Sequence, residues 1–512
     1  MAAEVKAPSL RPYPSVPALL PGSMAESKPY IAAEKLNEAI GFPGKLADNW
    51  QDTHDRAIGH MGELLKKYRS LQVFMDACVH CGACTDKCHY FIGTQDPKNM
   101  PVARQELMRS VYRRYFSVAG KLFPKLVGAR DLTKEVLDEW HSYFNQCSEC
   151  RRCSVFCPYG IDTAEITMAA KEILDHVGYG QKYSNEIIGK VHRIGNNLGL
   201  PGPALEDTLS GLEEDVKEET GVDVRYPLDV HGAEVLLVTP SADFFAEPHI
   251  DSLIGYGKVF HAAGISWTLS SKASEAGNFG MFIGNYEQMR KIALRVREAA
   301  LELGVKRIVV GECGHAWRVA YSFWNTLTGI GAGANDPFAV MLQNQLDHRY
   351  KQPTHICELT WDLIQRGALT FDKEANDHRI ITFHDSCNVA RGSRMGDTAG
   401  GQFEIPRAII RSVANKFVDM SADTIHERTF CCGGGGGLLT DELMELRVKG
   451  ALPRMEALQH VVNEHGVNFM ATICAICKAQ FTKVLPYYGF KMSMVGGVHQ
   501  LVSTAIRLGD KP

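Results

Sequence analysis

Cys431-Cys432-Gly433-Gly434-Gly435-Gly436-Gly437 is the stretch on which the reading of this chain turns. Adjacent cysteines seldom bridge each other, and glycine loses more backbone freedom on folding than any other residue. Such a loop suits backbone that folds tightly around something bulky while both thiolates point at it. Upstream lies His384-Asp385-Ser386-Cys387 and downstream Cys474-Ala475-Ile476-Cys477, with 43 and 41 residues intervening. Five cysteines in three pieces are thus expected to hold one thing.

The chain has 512 residues, long enough for several domains with large cores. Its 55 basic residues nearly balance 59 acidic ones, which argues against a nucleic-acid surface. A hydrophobic content of 45% is ordinary for a globular protein. No apolar run reaches bilayer length, and the Pro-rich N-terminus with Arg11 does not read as a signal peptide. The expected location is the cytosol, with room for docking on a membrane subunit. Fifteen cysteines are many for such a chain, and there clustered cysteines bind metal more often than they form disulfides. Thirteen fall into three motif groups, with only Cys313 and Cys357 outside, so cofactors are favoured over a disulfide scaffold.

The first group is Cys78-Val79-His80-Cys81-Gly82-Ala83-Cys84-Thr85-Asp86-Lys87-Cys88. The same Cys-x2-Cys-x2-Cys-x3-Cys spacing returns at Cys147, Cys150, Cys153 and Cys157, followed by Pro158. Three closely spaced thiolates wrap one corner of a 4Fe-4S cube, and the fourth ligates the other cluster. The spacing therefore assigns Cys78, Cys81, Cys84 and Cys157 to one cubane and Cys147, Cys150, Cys153 and Cys88 to a second. Zinc prefers paired Cys-x2-Cys units over a run of four. His89 stands where the first motif usually carries proline, a change expected to alter the turn after Cys88 and not the ligands.

Residues 1–64 read as an N-terminal extension, mobile or ordered on a partner, and 65–199 as a helical ferredoxin-like domain. Between the motifs, Arg109, Arg113, Arg114, Lys121, Lys125 and Arg130 interleave with Tyr112, Tyr115, Phe116, Leu122 and Phe123. That stretch fits an anionic membrane surface or a membrane subunit as well as it fits a solvated helix face. Residues 200–232, with Pro201, Pro203 and an acidic run, read as a linker carrying a short solvated helix. From 233 onward strands alternate with helices, which implies parallel sheets. The order restarts at Arg379-Ile380-Ile381-Thr382-Phe383, so 233–375 and 376–512 are expected to be two related α/β lobes of Rossmann-like form.

Overlaying the lobes sets Ala242 opposite Cys387, and Glu275-Ala276-Gly277 opposite Cys431, Cys432 and the glycines. The last motif aligns in two ways: Cys313 and Ala316 with Cys474 and Cys477, or Glu312 and His315 with them. Either way the first lobe keeps the architecture and lacks most of the ligands. Five cysteines exceed a cube's four thiolates, so an unusual cluster or one free catalytic thiol is implied. A thioredoxin-like pair at Cys474 and Cys477 would leave the glycine loop unexplained, and no Lys-Ser/Thr follows the glycines to make a phosphate loop.

The C-terminal lobe resembles the CCG domain of heterodisulfide reductases and related iron–sulfur oxidoreductases, whose pattern is Cys, Cys-Cys-Gly, Cys-x2-Cys. Over residues 65–512 the domain order resembles the catalytic subunits of membrane-bound heterodisulfide reductases. The degenerate Gly311-Glu312-Cys313-Gly314-His315-Ala316-Trp317 is similar to the DsrK type, the cytoplasmic subunits of the Dsr complex of dissimilatory sulfur metabolism. The resemblance implies a non-cubane 4Fe-4S cluster on Cys387, Cys431, Cys432, Cys474 and Cys477, beside the two cubanes. It further implies an enzyme acting on sulfur groups, cleaving a di- or trisulfide on a small DsrC-like carrier. The far electron partner would be a DsrM-like cytochrome b exchanging with quinol, alongside other Dsr subunits on the cytoplasmic face of the inner membrane. His384 and Asp385 are candidates for a proton donor or a loop brace, and Cys313 and His315 for facing the cluster or filling the core. Cys357 is expected to be a core residue. The competing reading is an electron-relay iron–sulfur subunit of a lactate or glycolate oxidase, without sulfur chemistry.

Overall fold

The computed structural model describes residues 49–324, 350, 353–439 and 443–509. Most of the expected N-terminal extension therefore lies outside the described residues, but its last part does not. Helix α1 (Trp50–Lys67) starts at Asn49, whose side chain accepts from the Asp52 amide at 2.9 Å. Its Ala57, Met61 and Leu64 form an i, i+4 stripe buried with Val111, Trp140 and Ile173. The segment from Trp50 thus belongs to the iron–sulfur domain. That domain continues as α2 (Arg69–Ala77), α3 (His89–Thr94), α4 (Pro101–Phe116), α5 (Lys134–Phe144), α6 (Thr163–His176) and α7 (Lys182–Ile194). The first cysteine motif runs from the end of α2 into α3, and the second lies between α5 and α6.

The basic, aromatic stretch divides in two. On α4, Arg109 is 2% exposed and donates to the Met75 carbonyl at 2.9 Å, while Tyr112 is buried. These residues tie α4 into the domain and face neither solvent nor a membrane. The exposed part comes later: Val118, Leu122, Phe123 and Leu126 all stand out from the surface among Lys121 and Lys125.

The stretch expected to be a linker is α8 (Gly202–Thr220), 19 residues long. Its acidic outer face is solvated, but Leu205, Leu209, Leu212 and Val216 lie in the main core. Their spacing of four, three and four is the apolar stripe of a packed amphipathic helix, which the neighbouring acidic run obscured.

The first lobe is a four-stranded parallel sheet in the order β2-β1-β3-β4, built from β1 (Val235–Val238), β2 (Trp267–Thr268), β3 (Arg307–Val310) and β4 (Thr354–His355). Helices α9 (Ile250–Ala263), α10 (Asn278–Phe282), α11 (Tyr286–Leu303), α12 (Gly314–Ser322) and α13 (Ile356–Gln365) surround it. The second lobe repeats the plan with β5 (Ile381–His384), β6 (Phe469–Thr472) and β7 (Val495–Gly497), paired in that order and in parallel. Its helices are α14 (Cys387–Gly392), α15 (Gly401–Val413), α16 (Met444–His465), α17 (Ala475–Val484) and α18 (Val498–Ala505). Strands β1 and β6 are buried along their length, as parallel strands covered on both faces must be.

One hydrophobic core runs through both lobes. Within it lies a charged junction. Glu312 of the first lobe accepts from His499 Nδ1 at 2.8 Å and faces Lys478 Nζ at 3.5 Å, both from the second lobe. Lys478 also donates to Ser252 at 2.8 Å, and all three charged or ring groups are 0% exposed. Burial alone would raise the Glu312 carboxyl; Lys478 and the His499 hydrogen bonds outweigh it and hold the group at about 2.

Two stability measurements check this arrangement. Leu209→Ala should cost about 2–5 kcal/mol in denaturant unfolding, the range for a buried leucine; a loss within about 0.5 kcal/mol would mark 202–220 as a surface linker. Glu312→Gln removes one partner of a buried pair and should destabilise the chain by about 3–5 kcal/mol.

Candidate functional site

In the iron–sulfur domain, Cys78, Cys81, Cys84 and Cys157 line one cavity. Cys88, Cys147, Cys150 and Cys153 line another. Each motif keeps three cysteines at its own cavity and sends the fourth to the other. The two motifs wrap alike because each turns through the left-handed region at matching positions: His80 and Gly82 in the first, Glu149 and Arg151 in the second. All eight thiols are free. Burial pushes the Cys84 thiol up to about 11. Burial also works to raise Cys88, but Arg104 and His89 outweigh it and hold that thiol below its ordinary value. Arg104 is fixed for this by Asn99 Oδ1 at 2.7 Å and the Tyr143 carbonyl at 3.0 Å.

The five remaining motif cysteines meet inside the second lobe, each no more than 2% exposed. Cys387 and Cys431 bring their sulfurs to 4.0 Å, about twice a disulfide bond. The thiols of Cys431, Cys432, Cys477 and Cys474 follow one another closely enough that each shifts its neighbour's ionisation. The series extends at both ends. Cys150 of the iron–sulfur domain acts on Cys431 in the same way, and on Cys474 so do Cys313 and His315 of the first lobe, whose Nδ1 lies 3.6 Å from the sulfur.

Helix ends explain how these sulfurs are placed. Cys387 opens α14, Cys474 is the N-cap of α17, and Cys313 is the N-cap of α12, accepting from the Ala316 amide at 3.4 Å. Helix N-termini carry partial positive charge, which favours thiolate. The matching caps pair Cys313 with Cys474 and Ala316 with Cys477, which decides between the two alignments. Glu312 is then excluded from the cluster site, being engaged by His499 and Lys478.

The glycine run lets the Cys431-Cys432 loop lie against the second cubane motif. Gly436 has φ +69°, and a Cβ there would lie 2.5 Å from the Cys147 carbonyl oxygen. Further struts cross the same boundary. His89 bonds the Gly450 carbonyl and Ser148 Oγ, each at 2.8 Å, and Tyr90 donates to the Gly433 carbonyl at 2.6 Å. Arg152 stacks on Phe430 at 3.7 Å and donates to the Arg428 carbonyl at 2.8 Å. Reading by motif missed this role of His89; its only signal was a histidine in proline's usual place.

Asp385 is a brace. Arg407 clamps its two oxygens at 2.8 Å each, the His426 amide donates to one of them at 2.9 Å, and its carboxyl is held below the ordinary range against burial. His384 is fully buried, edge-on to Phe481, with neither ring nitrogen bonded; burial and Arg454 lower it to about 3, so it is neutral. Cys357 is a buried residue of α13 lying near Glu312 and His499. The Lys478 ammonium already supplies the positive charge there, and Thr360 and Glu312 occupy both His499 nitrogens. That group is an ion-pair network and no cation site.

Free, unbridged thiols, four to a cavity in one domain and five together and buried in another, are the donor set of iron–sulfur clusters. The comparisons agree with it. Residues 74–161 match the 4Fe-4S dicluster domain, and 381–482 match the cysteine-rich CCG domain. The chain is 44% identical to the Hdr-like menaquinol oxidoreductase iron-sulfur subunit 2 of Archaeoglobus fulgidus, over 91% of this chain and 86% of that one. It is 25% identical to one polypeptide of the dihydromethanophenazine:CoB–CoM heterodisulfide reductase of Methanosarcina barkeri, covering 79% and 87%. Against the glycolate oxidase iron-sulfur subunit of Escherichia coli the identity is 22%, covering 73% and 83%. No solved structure matches. With a dicluster domain joined to a CCG lobe and 44% identity across most of its length, the chain belongs to the heterodisulfide-reductase-like family of 4Fe-4S oxidoreductase subunits.

Proposed function

We propose that this chain is the catalytic subunit of a membrane complex that exchanges electrons between quinol and a sulfur–sulfur bond. The observation that carries the reading is the series of sulfurs. It begins at Cys150, among the second cubane's proposed ligands, and ends at Cys313, beside a cavity in the first lobe. In this reading Cys78, Cys81, Cys84 and Cys157 hold one cubane, and Cys88, Cys147, Cys150 and Cys153 hold the other. Cys387, Cys431, Cys432, Cys474 and Cys477 hold a non-cubane 4Fe-4S cluster. When bound, such clusters supply one-electron redox steps and, at the last site, iron that a sulfur ligand can reach. Cleaving a sulfur–sulfur bond takes two electrons, so a set of contiguous one-electron sites suits the task.

The chain's own residues set the conditions. The glycine loop and His89 hold the two cysteine sets in contact without intervening side chains. Asp385, clamped by Arg407, fixes the turn before Cys387. The neutral, unbonded His384, the His315 that lies 3.6 Å from Cys474 and the His89 beside Cys431 are ring groups placed at the site. Asp385, held below its ordinary range against burial by Arg407, is a poor proton donor, which leaves His315 and Cys313 as the polar groups acting on Cys474.

The partners follow from the relatives and from the surface. A menaquinol oxidoreductase name on the 44%-identical relative supports a quinone-linked, DsrM-like cytochrome b partner with further complex subunits. The exposed apolar residues 118–126, flanked by lysines, suit docking on that partner at the cytoplasmic face of the membrane. A small DsrC-like sulfur carrier is the proposed substrate, in dissimilatory sulfur metabolism.

Anaerobically purified protein should contain about twelve irons per chain and show two reducible cubane signals in electron paramagnetic resonance. A third, oxidised-state signal should respond to added thiol. Iron near about eight with no third signal defeats the non-cubane assignment. Cys432→Ala should erase the third signal and spare the cubane spectra; loss of all three would mean that the ligand sets are divided differently. Leu122→Ser, Phe123→Ser and Leu126→Ser together, all on the surface, should release the folded chain from its membrane partner. Unchanged co-sedimentation would move the docking surface elsewhere.

A further inference from the structure

The two cubane sites differ in the charge set around them. Apart from its cysteines, the lining of the first cavity carries no charged side chain among the described residues. The charged side chains lining the second are Lys87, Arg104, Glu149 and Arg151. Three of these have partners of opposite charge: Lys87 pairs with Asp86 at 2.7 Å, Arg151 with Asp162 at 2.9 Å and Glu149 with Lys171 at 2.8 Å. Arg104, which is buried, has no carboxylate. It bonds Asn99 and the Tyr143 carbonyl and lies close to Cys88 and Cys147.

Two more guanidiniums reach the same site. Arg391 on α14 donates to the Cys150 carbonyl at 2.5 Å and, through Nη1, to the Glu427 and Thr429 carbonyls at 2.8 Å each. Arg152, also buried, donates to the Arg428 carbonyl at 2.8 Å and to the Lys87 carbonyl, next to Cys88, at 3.3 Å. All these acceptors are uncharged, and neither arginine has an ion pair among the described residues. The carboxylates that act on Arg152 from further off, Asp86 and Asp423, are exposed. Burial and the like charge of Arg391 lower Arg152 to about 10, so it keeps its charge at neutral pH. A buried cation without a carboxylate is costly and calls for an anion. A cluster held by four thiolates supplies one.

An added electron makes a cluster more negative, so fixed positive charge close by favours the reduced form, most strongly where water is excluded. Burial alone works the other way. At the first site Cys81 is exposed and no cation lines the cavity; at the second, Cys88 and Cys150 are buried among three guanidiniums without carboxylates. We propose that Arg104, Arg152 and Arg391 outweigh burial and make the cubane on Cys88, Cys147, Cys150 and Cys153 the more readily reduced of the two, so that it holds an electron next to the five-cysteine site. They are positioning residues, acting through their field and their carbonyl contacts. The proposal rests on the division of cubane ligands made above and is independent of the sulfur-bond reading. A two-electron step needs the first electron kept until the second arrives, and a site of higher potential beside the last one keeps it.

The test is a redox titration of the anaerobically purified holoprotein, followed by electron paramagnetic resonance. Cys81→Ser alters a ligand of the first set and so marks that cubane, by a shifted spectrum or by its loss. In the unaltered protein the cubane so marked should be the harder to reduce; if it is the easier, the proposal fails without any arginine variant. Arg391→Gln should move the reduction equilibrium of the unmarked cubane at least about tenfold towards the oxidised form, about 59 mV for a one-electron couple, and leave the marked one in place. Arg391→Lys, which keeps the charge and loses the planar fork, should recover most of that shift. No shift in folded Arg391→Gln, or a shift that Arg391→Lys does not recover, overturns the role of charge. Should Arg391→Gln fail to fold, Arg104→Gln is read in the same way, and the order of the two potentials in the unaltered protein still decides. A change in both cubane spectra on Cys81→Ser would defeat the ligand division itself, an outcome distinct from a reversed order of potentials.

Discussion

Burying thiol sulfur where water cannot reach is the constraint around which this molecule is arranged. An ionised sulfur in a dry interior needs positive charge or a metal close by. Three helix starts, at Cys313, Cys387 and Cys474, point their amide ends at one place. Arg104 performs the equivalent service for Cys88 in the iron–sulfur domain. Because the five sulfurs come from three separate stretches, the sheet, its turns and the glycine loop must all be in register before any of them is placed. The site is therefore a property of the folded lobe and of nothing shorter.

The same constraint explains the contact between domains. Side chains on the Cys431-Cys432 loop would hold the second cubane motif away; at Gly436 even a methyl group would strike the Cys147 carbonyl. With glycine there, Cys150 comes near enough to Cys431 for the two thiols to shift each other's ionisation. His89, Tyr90 and Arg152 then lock the domains from the other side. A histidine replacing a turn proline thus makes one hydrogen bond across the domain boundary, to Gly450, and one within its own domain, to Ser148.

The two lobes share a plan and do different work. Both have parallel sheets and a cysteine at a helix start, but only the second gathers five cysteines. In the first, Glu312 has become half of the junction with Lys478 and His499, and Glu275 bonds its own lobe at Ser241. Cys313 and His315 still reach the sulfurs of the twin lobe. The degenerate lobe thereby forms a wall of the other lobe's site and encloses a cavity beside it.

What the sequence determined by itself was the local chemistry. Cysteine spacing divided thirteen thiols into three groups, and the repeat of strand–helix order announced two lobes, because both signals are carried by residues a few positions apart. Its errors were of another kind. Arg109 and Tyr112 looked like surface because composition does not say which face of α4 meets Met75, and the acidic run at 213–219 hid the apolar stripe of α8. Helix caps decided the alignment of Cys313, which sequence left in two registers. Only the tertiary structure brought Cys150 to Cys431, turned Glu312 into an ion pair and kept the first lobe's space open. Those outcomes depend on pairs of residues 60 to 281 positions apart, where backbone geometry and packing choose the partner and no local pattern records the choice.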